Sequence, residues 1–571
     1  MATILGTLRR GKSADFFARI LIQPVSWQAF SIVYLQSRMQ KGYATSICRR
    51  KQTKDTRMFM ERNAVLTQTT SIEEKDTTRW HRWLRHFFTE DVSPDNHPLI
   101  GLQRRAVWIG LALILQSCNE IPYYWYMPYI QPFGSLIPFA LLLGSFAALY
   151  MAFRPTTLKQ KAQNVQKHPR RWQRYMLILI LLLTIPGGIE IVRGTVMNFL
   201  PPQFTNDGTS LDTNAAMLLV QGKNPYADSN MLTLARMFPI QPNWTTPLEQ
   251  GQLAGHTEYP SLVELQSILD TDLKAGTAPE FESKVSYPAL SFLTLVPFAV
   301  FHDYNVMPFY ALSFLLLVYI AWKVVKPEMR PWMLLLAIAN VPMIVSTIGG
   351  NLDIFTILLL VLAWLWHDKH WISAVMLGLA LASKQPAWFY MPFYLILTFR
   401  FYGFKETLYR ALIAGGVGLA FNLPFILWNP QAFIAGILAP VADPMYPMGV
   451  GIVNLSVMHL IPFLPKTAYT VLELAAMPLT YLWYWRICRA HPESAMLLAV
   501  LPLFMAWRSL SSYFYCTAFP LFILQAARRR IHEPVVEEEK PRHSRFFQPA
   551  RNVGSTLGLP ESVGMRFMNL F

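Results

Sequence analysis

Asp207 stands beside Gly208, a few residues past the end of a long apolar run. Its carboxylate is therefore expected close to a bilayer surface. A partly desolvated carboxylate there has a raised proton affinity. That suits a base which takes the proton from a hydroxyl as the hydroxyl attacks a donor. The competing reading is local, because Asp also begins turns and caps helices. Asp212 follows in the same stretch and is the reserve candidate for the same role. Two cations have the complementary chemistry: Lys384 in ASKQP, before a proline-started helix, and Arg508 in WRSLSSY, between two apolar runs. Beside lipid, such groups fit a lipid-linked phosphate or diphosphate. Their alternative is snorkelling to the interface. Asn351 and Asp353 in GGNLD are polar groups at a helix start, where capping is the plain reading.

Metal and cofactor chemistry has little to stand on. No HxH, HExxH or CxxC spacing occurs, and His256 is isolated in its loop. A carboxylate-bound Mg²⁺ or Mn²⁺ is left open, but nothing demands one. The four cysteines are scattered, and none lies in 199–286, which argues against a disulfide framework or a thiolate metal site.

The elements that must position these residues are membrane helices. Of the 571 residues 53% are hydrophobic and only 15% charged, against about a quarter charged in soluble domains. The runs Leu136–Phe153, Tyr175–Ile189, Val306–Val325, Pro331–Ile348 and Leu408–Trp428 approach the roughly 20 residues that span a bilayer as helix. Helix is required because lipid offers backbone groups no other partner. The net charge of +16 follows from basic loops beside apolar runs, and no nucleic-acid reading motif accompanies it.

Three regions follow: a basic N-terminal extension (1–105), a transmembrane domain (106–527) containing one long polar loop (199–286), and a charged tail (528–571). Both termini are expected in the cytoplasm. Ile20–Leu35 is only weakly apolar, no cleavable signal pattern opens the chain, and Met58 and Met60 are candidate starts.

Charge orients the rest. Residues 154–174 carry Arg154, Lys159, Lys161, Lys167, Arg170, Arg171 and Arg174 without an acid, which marks a cytoplasmic loop. The next helix then delivers 199–286 to the outside. Later basic clusters (Lys323/Lys326/Arg330, Lys405/Arg410, Arg486/Arg489 and Arg528–Arg530) belong inside. Parity makes Tyr287–Phe301 a partial or interfacial helix and Val306–Val325 the crossing; the alternative has both cross. On this map 349–353, 383–386, 428–454 and 508–513 share the loop's side, with about twelve crossings overall. Leu211–Gln221 is expected to be an amphipathic helix along the membrane surface, ended by Gly222 and Asn224-Pro225-Tyr226. Glu190 and Arg193 are spaced to pair on one helix.

Taken together, DG…AAxLLxxGxNPY at 207–226, YPxLxxLxxxPF at 287–298, GGNLD at 349–353 and KQPxxxxxP at 384–392 resemble the GT-C superfamily of membrane glycosyltransferases. The most similar group is glycosyltransferase family 87, the polyprenol-phosphate-mannose-dependent alpha-mannosyltransferases. The resemblance spans about 175–530. It implies an all-α polytopic bundle of GT-C type, with a large first extracytoplasmic loop carrying surface helices. It further implies a catalytic Asp in that loop (Asp207, with Asp212 in reserve), inversion at the anomeric carbon, and no required metal or cofactor. Lys384 and Arg508 would hold the donor phosphate, while Tyr226, Tyr287, Asn351 and Asp353 would shape the pocket. Ala289 replaces the second proline of the family's Y-P-P, and GTSL stands where the family has an aromatic run after its acid.

The implied partners are membrane lipid, a polyprenyl-phosphate-linked sugar donor and a glycan or lipid acceptor, at a multi-pass cell-membrane location. Two other classes compete. A transporter or lipid flippase would lack a dominant loop and often shows internal repeats, and an inactive GT-C-like assembly subunit would lack transfer. The Asn243-Trp244-Thr245 sequon matters only in a eukaryotic secretory membrane, and a bacterial one is expected.

Overall fold

Apolar run length and proline placement account for most of the helix boundaries. The computed structural model describes residues 87, 102–126, 136–154, 171–201, 204, 206–238, 240–256 and 258–527. The readings of the N-terminal extension, most of the 154–174 loop and the charged tail lie outside the described residues. Among the described residues, fifteen helices have eight or more residues. They are α1 (Leu102–Tyr126), α2 (Leu136–Phe153), α3 (Arg171–Met197), α4 (Asp207–Val220), α5 (Leu262–Ala275), α6 (Met307–Val324), α7 (Arg330–Ile338), α8 (Val341–Ile348), α9 (Asp353–Leu365), α10 (His370–Ser383), α11 (Pro386–Tyr402), α12 (Phe404–Trp428), α13 (Pro430–Ala442), α14 (Lys466–Ile487) and α15 (Ala518–Ala526). The chain is predominantly helical; among the described residues its β-structure is, besides isolated bridges, one parallel pair of two-residue strands, β1 (Met448–Gly449) and β2 (Arg508–Ser509).

Among the described residues, four helices (α2, α3, α6 and α12) are long and apolar enough to cross a membrane. A fifth crossing is available if α7, with the turn before it, and α8 form one broken span bent by 55°. These five correspond to the five apolar runs of the sequence. The break in the last is chemical: Pro342 has no backbone N–H and prevents the helix from running through, and Asn340 caps the new start by accepting from Met343 N at 3.4 Å. On α3, Arg193 and Glu190 pair at 2.7 Å, which lowers the cost of both charges in an apolar helix.

Tyr287–Phe301 is not one helix. It contains two short pieces, Leu290–Leu293 and Val296–Val300, matching the expectation of a partial helix. The α4 expectation needs correcting. Instead of presenting one face to solvent, α4 is buried on every side from Gly208 to Ala216. Its residues Thr209, Ser210, Asp212, Thr213 and Asn214 are all under 3% exposed. Their polar groups face protein, so a hydrophobic pattern alone mistook an enclosed helix for a surface one. The expected stop is present, with Gly222 left-handed at φ 74°.

Candidate active site

The start of α4 is held by its cap. Asn206 Oδ1 accepts from Thr209 N at 2.9 Å, and Asn206 Nδ2 donates to Gly349 O at 3.1 Å. Thr209 Oγ1 also donates to Gly350 O. Gly350 is left-handed (φ 81°), and a Cβ there would lie 3.1 Å from both Met307 Sδ and Thr209 Cγ2. Glycine is therefore what lets the GGNLD turn press against α4. Because Asn206 does the capping, Asp207 is not the cap. It occupies the first helical position, half-buried, and engages Thr246 through a side-chain hydrogen bond. Burial pushes the Asp207 carboxyl up, while the Thr246 bond and the Arg508 charge pull it down.

Lys384 lies in the cleft between α10 and α11. Its Nζ is 2.8 Å from Asp353 Oδ1 and 3.0 Å from Asn351 Oδ1, and it sits over the Tyr287 ring, 5.0 Å from the centroid. With Lys384 3% and Asp353 6% exposed, the lysine expected to hold the donor phosphate is one half of a buried ion pair. A lysine placed at a helix junction inside the protein needs an anion beside it to remain charged. Asn351 does two jobs, since its Oδ1 also accepts from Asp353 N at 3.2 Å at the start of α9.

Asp212 is wholly buried. Ser291 Oγ donates to its Oδ1 at 2.8 Å, and its Oδ2 is enclosed without a hydrogen-bond partner. Burial pushes its carboxyl up to about 7, against the pull of Ser291 and Lys384. Tyr226 OH donates to Tyr287 O at 2.8 Å, and its ring packs edge-on to Phe292, Phe425 and Phe433. Tyr287 is the bridge of the site. Its ring carries Lys384, and its hydroxyl would stand 2.9 Å from a Cβ placed on Gly208. Gln385 fixes the same segment by donating to Ser286 O.

Arg508 comes from the other end of the chain. Residues Met448 and Arg508 face each other in the β1–β2 pair, and Arg508 Nη2 lies 3.1 Å from Met448 Sδ. It is only partly buried, and its charge acts on Asp207, Tyr259, Tyr287 and Tyr513. Of the two expected cations, Arg508 is the more open one. Sequence reading missed Thr246, Ser291, Tyr259 and Tyr513. None carries a motif, and only Asn206, a strong capping residue before a helix, left a signal that could have been used.

The five segments that the sequence led us to expect on one side are linked by contacts. The GGN turn touches Asn206 and Thr209, and Lys384 reaches Asn351 and Asp353. Lys284 pairs with Asp443 at 2.6 Å, Glu249 N donates to Pro444 O at 2.8 Å, and Met448 pairs with Arg508. Beneath the GGN turn, α3, α6, α7 and α8 enclose an apolar groove of about 310 Å³, lined by residues such as Gly194, Met307, Phe314, Leu334, Ile344 and Thr347. Met307 lines the groove and also lies against Gly350 of the turn. Compared with known proteins, the chain matches no family model, no curated protein and no solved structure. Chemically, the arrangement offers a half-buried carboxylate in the field of a partly exposed guanidinium.

Proposed function

We propose that this chain is an integral-membrane glycosyltransferase of GT-C type, with about twelve crossings and its site on the extracytoplasmic face. It moves a hexose, with mannose the first candidate, from a polyprenyl-phosphate donor to a hydroxyl of a glycan or lipid acceptor. The observation that carries this reading is the placement of Asp207 in the field of Arg508, beside a GGN turn whose Gly350 packs against Met307, a residue of the apolar groove. Lipid tail, phosphate and attacking hydroxyl each have a matching neighbour there.

In the proposed step, Asp207 takes the acceptor's hydroxyl proton while that oxygen bonds to the anomeric carbon from the face opposite the phosphate. The bond from the anomeric carbon to the phosphate oxygen breaks, and the electron pair leaves with the polyprenyl phosphate. Arg508 meets the charge left on that phosphate, a preorganised electrostatic role. Asp207's raised proton affinity favours proton uptake. Lys384 and Asp353 hold Tyr287 and the GGNLD turn in place, a positioning role in place of the direct phosphate contact expected from sequence. Asp212, enclosed and hydrogen-bonded to Ser291, supports α4 and stays in reserve as the base.

The test is transfer of labelled mannose from polyprenyl-phosphate-mannose in membranes carrying the wild-type chain or Asp207→Asn. Loss of about 10²–10⁴-fold is expected from removal of a general base. Unchanged transfer would overturn the assignment of Asp207. Uptake of a solute by liposomes, with no transfer from any polyprenyl-phosphate hexose, would replace the whole reading with a transporter.

A further inference from the structure

Two helices carry arginines away from the candidate site to a place where no acid meets them. Helix α11 begins two residues after Lys384 and runs 17 residues to Tyr402, about 25 Å at 1.5 Å per residue. Helix α14 begins at Lys466, whose Nζ donates to Asp443 O at 2.9 Å, and ends at Ile487. Phe393 packs on Tyr481 and Phe399 on Trp485, so the two helices run side by side in one direction. Helix α12, long and apolar enough to cross a membrane, starts at Phe404 directly after α11. The shared end of α11 and α14 therefore lies at one end of a crossing.

At this end Arg489 Nε and Nη2 donate to Arg400 O at 3.2 and 2.7 Å, meeting a carbonyl that the last turn of a helix leaves open. The Arg400 guanidinium lies over the Trp485 ring, 5.0 Å from its centroid, and that of Arg489 over Phe401 at 6.0 Å. Stacking occupies the flat face of a guanidinium and leaves the N–H groups at its edge to an oxyanion. Arg400 Nε is out of solvent and has no hydrogen-bond partner. Arg486 adds a third charge one helical turn before Arg489. Among the described residues, the arginines paired with a carboxylate are Arg193 and Arg410, so these three are not. A helix end favours a single cation, and snorkelling would bring one to an interface. Neither accounts for arginines of two helices converging, because like charges repel.

We propose that Arg400 and Arg489, with Arg486 beside them, bind the headgroup phosphate of an anionic phospholipid in the leaflet opposite the candidate active site. Clustered cations between helices at one membrane face hold such headgroups. A lipid fits better than a free anion because Phe399, Leu482 and Trp485, apolar and exposed, border the arginines and offer acyl chains a surface. The proposal is independent of sugar transfer.

The experiment uses the full chain purified in a neutral detergent and given phosphatidylglycerol, phosphatidylcholine or inorganic phosphate. The readouts are the thermal midpoint and the bound lipid seen by native mass spectrometry. Phosphatidylglycerol is expected to raise the midpoint by several degrees, as a ligand of the folded state does, and to stay bound. Phosphatidylcholine and inorganic phosphate are expected to do neither. Arg400→Gln should lose most of both responses, and Arg489→Gln is the second variant should Arg400→Gln fail to fold. Lys323→Gln, in the last turn of α6, should keep them. Equal responses to the two lipids, or responses unchanged in both arginine variants, overturn the proposal. An equal loss in Lys323→Gln does so too, since general surface charge would then be responsible. Stabilisation by inorganic phosphate to the same extent also overturns it, because the arginines would then hold a free anion.

Discussion

Lys384 Nζ lies 2.8 Å from Asp353 Oδ1, with both side chains almost wholly out of solvent. This contact joins the end of α10 to the start of α9 and sets the floor on which Tyr287 rests. The lysine charge is therefore already met, and Arg508 is the more open of the two cations.

Removing one member of this pair leaves the other charged and buried. Lys384→Met is expected to lower unfolding stability by about 3–5 kcal/mol. The double variant Lys384→Met with Asp353→Leu should recover much of that loss. Denaturation of the four-protein cycle in detergent measures the coupling, and additive effects would show that the contact is not an energetic pair.

Arg508 offers a planar fork to phosphate that lysine cannot copy. Arg508→Met is expected to slow sugar transfer by about 10²–10³-fold, the scale of losing one preorganised charge-stabilising group. Arg508→Lys should restore only part of the rate. Full activity in Arg508→Met would assign the phosphate to another cation.

Gly208 allows the Tyr287 hydroxyl to approach the first turn of α4, since an added Cβ would stand 2.9 Å from it. Alanine improves helix propensity by about 1 kcal/mol. Gly208→Ala should therefore leave the thermal midpoint close to wild type while reducing transfer, because Tyr287 must move. A matched loss of stability and activity would point to general misfolding.

Asp212 supplies a pH dependence of definite sign. Its folded carboxyl titrates near 7, above the roughly 3.9 of an unfolded aspartate. Between those values the folded state binds more protons than the unfolded one, so stability falls as pH rises from about 4 to about 7. Asp272 and Glu282, raised to about 6 and about 7, act in the same direction. Asp212→Asn should flatten, but not remove, the slope of thermal midpoint against pH. An unchanged slope would show that Asp212 is ionised in the folded protein.

Part of the site's gathering was legible in the sequence. Basic clusters led to the expectation that 349–353, 383–386, 428–454 and 508–513 share the side of the 199–286 loop, and in the structure each of these segments makes contact there or with a neighbour in the group. The partners within it were not legible. Ser291 and Asp212 are 79 residues apart, and Lys384 and Asn351 are 33 apart. No periodicity links them, and Ser291 looks like any other small polar residue in an apolar stretch.

The sequence by itself determined the membrane class and the five apolar runs, because bilayer thickness and unpaired backbone groups act on each segment separately. It also marked where the 211–221 helix stops, at Gly222, whereas the break at Pro342 inside the run 331–348 came only from the structure. Tertiary structure alone decided which charges are free. Asn206 took the cap and released Asp207, Asp353 took Lys384, and α4 was enclosed on all sides. The reason is that burial and charge pairing depend on what lies across the fold, and a buried group's chemistry is set by those neighbours and not by its own residue type.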